Sequence, residues 1–223
     1  MSNAKLRVAV LGGTGEEGGG LALRLAHAGH QVTVGSRSAE RAREAAQGLA
    51  EKAGQPVAGA ANAEAAADAE VVILAVPYAA QQATALEVRE QLAGKILVDV
   101  TVPLQPPKVA RVQLPEGGSA VVALQAALGP DVKVVSAFQN VSAHQLAHLG
   151  HPVNCDVLVC GDDEAARQTV IDLAASAGMT ALHAGVLANS AAAEALTSVL
   201  ISINRRYKVA EGAGIRITGL PQA

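Results

Sequence analysis

The chain has 223 residues, 50% hydrophobic and 17% charged, with a formal net charge of −3. That length supports one large or two small domains with a substantial core, and the balance is that of a globular chain rather than a disordered one. It contains neither a basic block suited to nucleic acid nor an apolar run near the ~18 residues of a membrane span. The opening Met1-Ser2-Asn3-Ala4-Lys5 lacks the hydrophobic region of a signal peptide, so a cytoplasmic protein is expected.

In chain order, Val8 to Leu11 is an apolar run, followed by a glycine cluster, a helical pattern from Gly15 to Ala28 and a second apolar run from Val32 to Val34. Strand, turn, helix and strand at this spacing frame Gly13-Thr14-Gly15-Glu16-Glu17-Gly18, a G-x-G-x-x-G dinucleotide fingerprint. Gly13 is expected to turn the chain out of the strand, Gly15 to let the backbone approach a pyrophosphate, and Gly18 to bring the helix close to the sheet. Glu16 and Glu17 suit the helix dipole but would oppose phosphates if turned inward, so both are expected to face solvent.

The end of the second strand bears on which dinucleotide is bound. An NAD site carries Asp or Glu there, to accept the ribose 2′-OH. This chain has Ser36 and Arg37, with Arg41 in the next helix. With Ser38 as that helix's cap, both guanidiniums can converge on a 2′-phosphate while Ser36 donates a hydroxyl bond, which points to NADP(H). A solvated arginine pair on a surface helix is the alternative.

The alternation continues with a helix from Ala39 to Ala53, a short strand from Val57 to Ala60, a helix from Asn62 to Asp68 capped by Asn62, and a buried strand from Val71 to Val76 stopped by Pro77. Val76, Pro77 and Tyr78 lie either beside the dinucleotide, since loops after such strands line the ligand crevice, or at a simple strand stop. Gln81 to Ala93 reads as a helix and Ile96 to Val100 as a strand leading to Val102-Pro103. Pro106 to Gly118 is a candidate mobile loop, Ser119 caps a helix ending at Leu128, and Val132 to Val135 is a strand entering Ser136 to Ala143. Strands from Asp156 to Cys160 and Thr180 to His183 flank a helix from Ala165 to Ala177. A long helix, Ala191 to Ala210, carries Leu196, Val199, Leu200 and Ile203 as one apolar stripe, suited to the sheet's open end or a dimer axis. The fold class is α/β, a Rossmann-type doubly wound, mostly parallel sheet, with residues 1–185 as an NADP-binding domain and 186–223 as a small C-terminal helical and dimerisation region.

Cys155 and Cys160 have neither redox nor metal spacing and read as small buried apolar residues. His144 and His148, with His151 after them, could bind a metal or lie in solvent at a helix end; no committed carboxylate or thiol completes a site, and no metal is expected. With one Phe, two Tyr and no Trp, a flat ring must rest on small aliphatic side chains and backbone.

Several stretches together resemble the F420:NADP oxidoreductases, the NADPH-dependent reductases of the deazaflavin coenzyme F420. They are Gly12-Gly13-Thr14-Gly15 with the Gly35-Ser36-Arg37 strand end, Ser136-Ala137-Phe138-Gln139-Asn140, Cys160-Gly161-Asp162-Asp163, Gly185-Val186-Leu187-Ala188-Asn189-Ser190 and the closing Arg206 to Leu220. They follow the family's order over essentially the whole chain. The resemblance implies a homodimer that passes a hydride between C4 of the nicotinamide and C5 of the deazaflavin. It implies Thr14, Ser36, Arg37 and Arg41 on the 2′-phosphate side, Val76, Pro77, Val102 and Pro103 flanking the dinucleotide, and Ala137 to Ser142, with Asn140 and Val141, under the deazaflavin. Some archaeal members have a histidine in that last segment, where this chain has Phe138-Gln139-Asn140.

Direct hydride transfer depends chiefly on holding two rings together and excluding water, so no essential acid–base residue is expected. Backbone N–H groups around Val141 and Ser142 are expected to stabilise the ring nitrogen that gains charge. A flavin or ferric reductase built on the same NADPH domain and a non-catalytic NADPH sensor are the alternatives. An imine reductase is less favoured, because no lysine stands in a catalytic motif.

Overall fold

The computed structural model describes residues 5–220, so the outermost residues of both expected regions, 1–4 and 221–223, lie outside it. The first strand shows how the sequence divides the core. Val8 and Val10 point into one apolar cluster, while the alternate Ala9 and Leu11 point into a second on the opposite face of the sheet. A strand apolar on both faces must be central, and helices must cover both sides.

The elements are β1 (Arg7–Leu11), α1 (Glu16–His27), β2 (Gln31–Ser36), α2 (Ala39–Ala53), β3 (Val57–Ala61), α3 (Asn62–Asp68), β4 (Val71–Leu74), α4 (Tyr78–Glu87), α5 (Arg89–Leu92), β5 (Ile96–Asp99), α6 (Ala120–Leu128), β6 (Lys133–Ser136), α7 (Ala143–Leu146), β7 (Asp156–Gly161), α8 (Glu164–Ser176), β8 (Thr180–His183) and, after a 3₁₀ turn at Leu187–Asn189, α9 (Ser190–Tyr207). Among the described residues eight strands form one sheet, in the order β3-β2-β1-β4-β5-β6-β7-β8. Strands β1 to β6 run parallel. The sheet reverses at β7, which meets β6 antiparallel through Val135↔Gly161 and Ser136↔Cys160, and β8 runs parallel to β7. The chain winds outward in opposite directions from the neighbouring pair β1 and β4, and such a switch point opens a crevice at the strands' carboxyl ends.

Small residues set the helix–sheet spacing. A Cβ on Gly59 of β3 would lie 2.4 Å from the backbone carbon and oxygen of Ala42 in α2, so only glycine allows this approach. Helix α2 presents Ala42, Ala46 and Ala53 as its buried residues. Cys155 and Cys160 are buried and free, as small apolar residues would be.

Two expectations are corrected. The helix read from Gln81 begins at Tyr78, directly after Pro77 as N-cap, and breaks at Val88 into α4 and α5. Asn62 does not cap α3; Ala61 holds that position and Asn62 is the first helical residue, with its side chain buried. The apolar stripe of α9 is divided: Leu200 is buried, whereas Val199 and Ile203 are 44% and 36% exposed, and the other buried positions are Ser190, Ala193, Glu194 and Ser198.

The reason is polar. The Glu194 carboxylate accepts from Ala120 N (2.8 Å), Val121 N (3.3 Å) and Ser119 Oγ (2.6 Å), so a residue of α9 caps the start of α6. Beyond α9 the chain returns along β7. Ile215 O accepts from Asp156 N at 2.8 Å, and the Asp156 carboxylate accepts from Ile217 N at 2.7 Å.

Replacing Glu194 leaves buried N–H and hydroxyl groups without partners. Glu194→Ala is expected to lower stability by about 3 kcal/mol, read as a lower urea midpoint at unchanged m-value.

Candidate dinucleotide-binding site

The turn after β1 has its positive φ, +84°, at Gly12, where a Cβ would lie 2.3 Å from Ala75 O. The sharp turn expected of Gly13 therefore belongs to Gly12. Gly13 instead makes room for β2, since its Cβ would sit 2.9 Å from Val34 Cγ1. At Gly18 a Cβ would lie 2.6 Å from Gly12 O, so the first turn of α1 is seated against the loop that precedes it. Gly15 is the N-cap, with no side-chain cap bond. The first-turn N–H groups of α1 have no intrahelical acceptors and offer themselves to an anion.

A groove of about 620 Å³ runs from this turn along the carboxyl ends of β1, β2 and β4. Of the residues singled out in the sequence, it brings together Thr14, Gly15, Ser36, Arg37, Arg41, Val76 and Pro77. Ser38 caps α2 as expected, its Oγ accepting from Arg41 N at 3.3 Å, and Ser36 Oγ accepts from Ser38 N at 3.3 Å. Arg37 and Arg41 are exposed, and among the described residues neither pairs with a carboxylate.

Asn62 was missed as a site residue. Its Oδ1 is buried without a donor, and its side chain lines the groove close to Gly35, whose hypothetical Cβ would be 3.1 Å from that oxygen. Thr84 and Glu87 of α4 complete the wall opposite the arginines. The signal that could have found Asn62 is its place directly after β3, at the same carboxyl edge as Ser36.

Val102 and Pro103 follow β5 at that edge but do not line the groove, and neither do Ala137, Asn140, Val141 or Ser142. Ala137 to Val141 is buried and tightly held. Gln139 Nε2 donates to Asp99 O (2.7 Å), Thr197 Oγ1 of α9 donates to Gln139 O (2.6 Å), and Asn140 Nδ2 donates to Asp156 O (2.8 Å). Phe138 takes a positive φ of 75°. The Val141 N–H expected to be free donates to Phe138 O at 3.0 Å, so it is spent on this turn. Ser142 is half-buried beneath the returning chain, where a Cβ on Gly212 would lie 2.4 Å from Ser142 Oγ.

Two carboxyls near the crevice hold their protons unusually tightly. Burial pushes Asp99 up to about 6, against hydrogen bonds from Thr101 N (2.9 Å) and the Gln81 amide that pull the other way. Burial pushes Glu17 up to about 8, and its Oε1 is out of solvent with no donor. Glu16 is exposed as expected. The expectation that Glu17 also faces solvent is corrected: its helical position turns the carboxyl toward the protein. His144 pairs with Glu211 at 3.4 Å, and among the described residues no group of three His, Cys, Asp or Glu side chains is arranged to hold a metal.

A doubly wound sheet in this order, with a glycine turn opening α1 beneath a groove at its switch point, defines a Rossmann-type protein. Residues 7–103 match the family described as NADP oxidoreductase, coenzyme F420-dependent. The chain is 44% identical to the F420-dependent NADP reductase of Methanocaldococcus jannaschii, over 96% of this chain and 99% of that protein. It is 42% identical to the F420-dependent NADP reductase of Methanothermobacter thermautotrophicus, over 97% of each. The crystal structure of a protein titled F420-dependent NADP-reductase, from Arthrobacter sp. FB24, superposes with a TM-score of 0.81 at 31% identity, covering 96% of this chain and all of that one. The chain belongs to the F420-dependent NADP reductase family.

Glu17 gives a stability prediction whose sign follows from its shift. The folded state holds the proton up to about pH 8, whereas an ordinary glutamate releases it near 4.5. Between those values the unfolded chain binds fewer protons, so stability falls as pH rises, by at most about 1.4 kcal/mol per pH unit. Glu17→Gln is expected to remove that slope, measured as urea midpoints from pH 5 to 9.

Proposed function

We propose that this protein transfers a hydride reversibly between NADP(H) and coenzyme F420. The observation that carries the dinucleotide half is Ser36, Arg37 and Arg41 together at the end of β2, where a site for an unphosphorylated ribose carries Asp or Glu. Asn62 Oδ1 supports it, being a buried acceptor suited to an adenosine hydroxyl or amine. The relatives named as F420-dependent NADP reductases support the acceptor half. So do Gln139 and Asn140, each with a buried side-chain oxygen lacking a donor, which suit a heterocycle bearing ring N–H.

In this reading Thr14, Gly15 and the α1 N-terminus, with Glu16, Glu17 and Gly18 in its first turn and Gly13 shaping the loop, receive the pyrophosphate. Ser36, Arg37 and Arg41 hold the 2′-phosphate, and Val76, Pro77, Val102 and Pro103 flank the dinucleotide. Ala137 to Ser142 support the deazaflavin. When bound, the nicotinamide and deazaflavin supply the hydride donor and acceptor; the chain positions them and excludes water. We further propose residues 1–185 as the dinucleotide unit and 186–223 as the C-terminal region of a cytoplasmic homodimer. The row Val199, Ile203 and Tyr207, one turn apart on the outer face of α9 and exposed, supports that contact.

The test is NADPH-dependent bleaching of oxidised F420, with FMN and ferric chelate as competing acceptors; turnover with either of these but not with F420 would overturn the assignment. Arg37→Ala and Arg41→Ala are each expected to raise KM for NADPH about 10- to 100-fold with kcat nearly unchanged, because the phosphate contact is equal in ground and transition states. The unmodified protein is expected to use NADH far less well than NADPH, and equal kinetics would refute the 2′-phosphate reading.

A further inference from the structure

The wall of the groove opposite the arginines is one face of α4. Ala80, Ala83, Thr84 and Glu87 all line the groove, and steps of three and four residues place them on a single stripe of the helix. Two of these side chains are methyl groups, an apolar seat for a flat ring. The other two end in a hydroxyl and a carboxylate, one turn apart.

Among the described residues neither polar group has a partner. Thr169 and Thr197, the other helical threonines, return their hydroxyls to the carbonyl four residues back, at Ala165 O (3.0 Å) and Ala193 O (3.5 Å). Thr84 makes no such bond although it is only 7% exposed, so its hydroxyl is left to the groove. Glu87 is the last residue of α4, where the carbonyl end of the helix disfavours a negative charge. Its carboxylate pairs with no cation among the described residues, so it does not stabilise the helix that carries it.

The remaining groups order the groove. Thr14 and Gly15 stand at its α1 end, and Ser36, Arg37 and Arg41 at the end of β2. Asn62 Oδ1 lies beside Gly35, next to Ser36 in the chain, and so faces the ribose whose 2′-phosphate the arginines hold. The α4 face is the part of the groove left for the base.

Resting on the NADP(H) reading above, we propose that Thr84 and Glu87 recognise the base of the dinucleotide as adenine. Ala80 and Ala83 seat the ring, the Glu87 carboxylate accepts from the exocyclic amine, and the Thr84 hydroxyl donates to the ring nitrogen beside it. An ionised carboxylate has no hydrogen to donate. A 6-oxo purine presents a carbonyl oxygen where adenine presents its amine, and the two oxygens would meet with no proton between them. The pair therefore rejects the wrong base by repulsion as well as selecting the right one by bonding. The arginines cannot make this distinction, because the phosphate they hold is common to both dinucleotides.

The test titrates the full-length protein calorimetrically with adenosine 2′,5′-bisphosphate and inosine 2′,5′-bisphosphate, which carry the 2′-phosphate and the base but no nicotinamide. The parent is expected to bind the adenine compound about 10- to 100-fold more tightly, the range of a hydrogen bond to a charged group. Glu87→Gln, whose amide can turn either its oxygen or its NH2 toward the base, is expected to bring the two affinities within about threefold, chiefly by strengthening the inosine compound. Thr84→Val, of the same shape without the hydroxyl, is expected to weaken the adenine compound about 5- to 10-fold. Both variants are expected to keep the parent's preference for adenosine 2′,5′-bisphosphate over adenosine 5′-monophosphate, which reports a folded groove and an intact phosphate grip. Equal binding of the two bases by the parent, or the parent's base preference surviving in Glu87→Gln, would overturn the proposal while the 2′-phosphate reading stands. A parent that does not distinguish adenosine 2′,5′-bisphosphate from adenosine 5′-monophosphate would instead remove that reading and this proposal with it.

Discussion

The close approach of the Gly12 turn to the end of β4 is the constraint on which the rest of the site depends. A side chain at Gly12 would meet the Ala75 carbonyl at 2.3 Å, and one at Gly18 would meet the Gly12 carbonyl at 2.6 Å. These contacts fix the α1 N-terminus directly over the junction of β1 and β4, where the chain departs toward opposite faces of the sheet. Helix α1 covers one core, and α3, α4 and α6 cover the other. The groove is the space left between them, and its end at the glycine turn is an array of first-turn backbone N–H groups whose position no side-chain rotamer can alter.

A second layer of order holds the other end of the crevice. Asp99 at the end of β5 is tied to α4 through Gln81, to the next loop through Thr101 N and, through its carbonyl, to Gln139 after β6. Thr197 and Glu194 then fasten α9 to the same region, at Gln139 O and at the start of α6. Because these groups are buried, breaking one bond strands its partner, so the network specifies a single arrangement of the segments beyond β5 and β6. The C-terminal helix is thus part of the framework of the segment after β6, not a passive cover.

The sequence made the repeating β–α pattern legible because local signals agreed. The β1–α1–β2 unit, the α2 span, the Ser38 and Ser119 caps and the arginines after β2 all rest on apolar periodicity or short-range hydrogen bonding. What escaped were side chains whose direction is decided by distant partners. Asn62 looks like a cap because it precedes an alanine-rich helix, yet Ala61 supplies the extended cap conformation and leaves the amide to line the groove. Helix α9 is the complementary case. Hydrophobicity marks Leu196, Val199, Leu200 and Ile203, and because Glu194 points inward to cap α6, Leu200 is buried while Val199 and Ile203 are left exposed. Likewise, nothing in the Val141 neighbourhood reveals that its N–H is consumed by the Phe138 turn.

Glu17 joins the two halves of this account. Acidic residues in the first turn of a helix are ordinarily favourable, which is why sequence alone sends both glutamates to solvent. Here packing of α1 against α7 carries one of them inward, where loss of hydration outweighs the helix dipole and keeps the proton bound. A neutral carboxyl also removes the conflict the sequence presents, since it adds no negative charge beside a pyrophosphate seat. The exposed cations Arg37 and Arg41 stand at one end of the groove, while at the α1 end a carboxyl stays neutral because burial, with no partner, sets its charge.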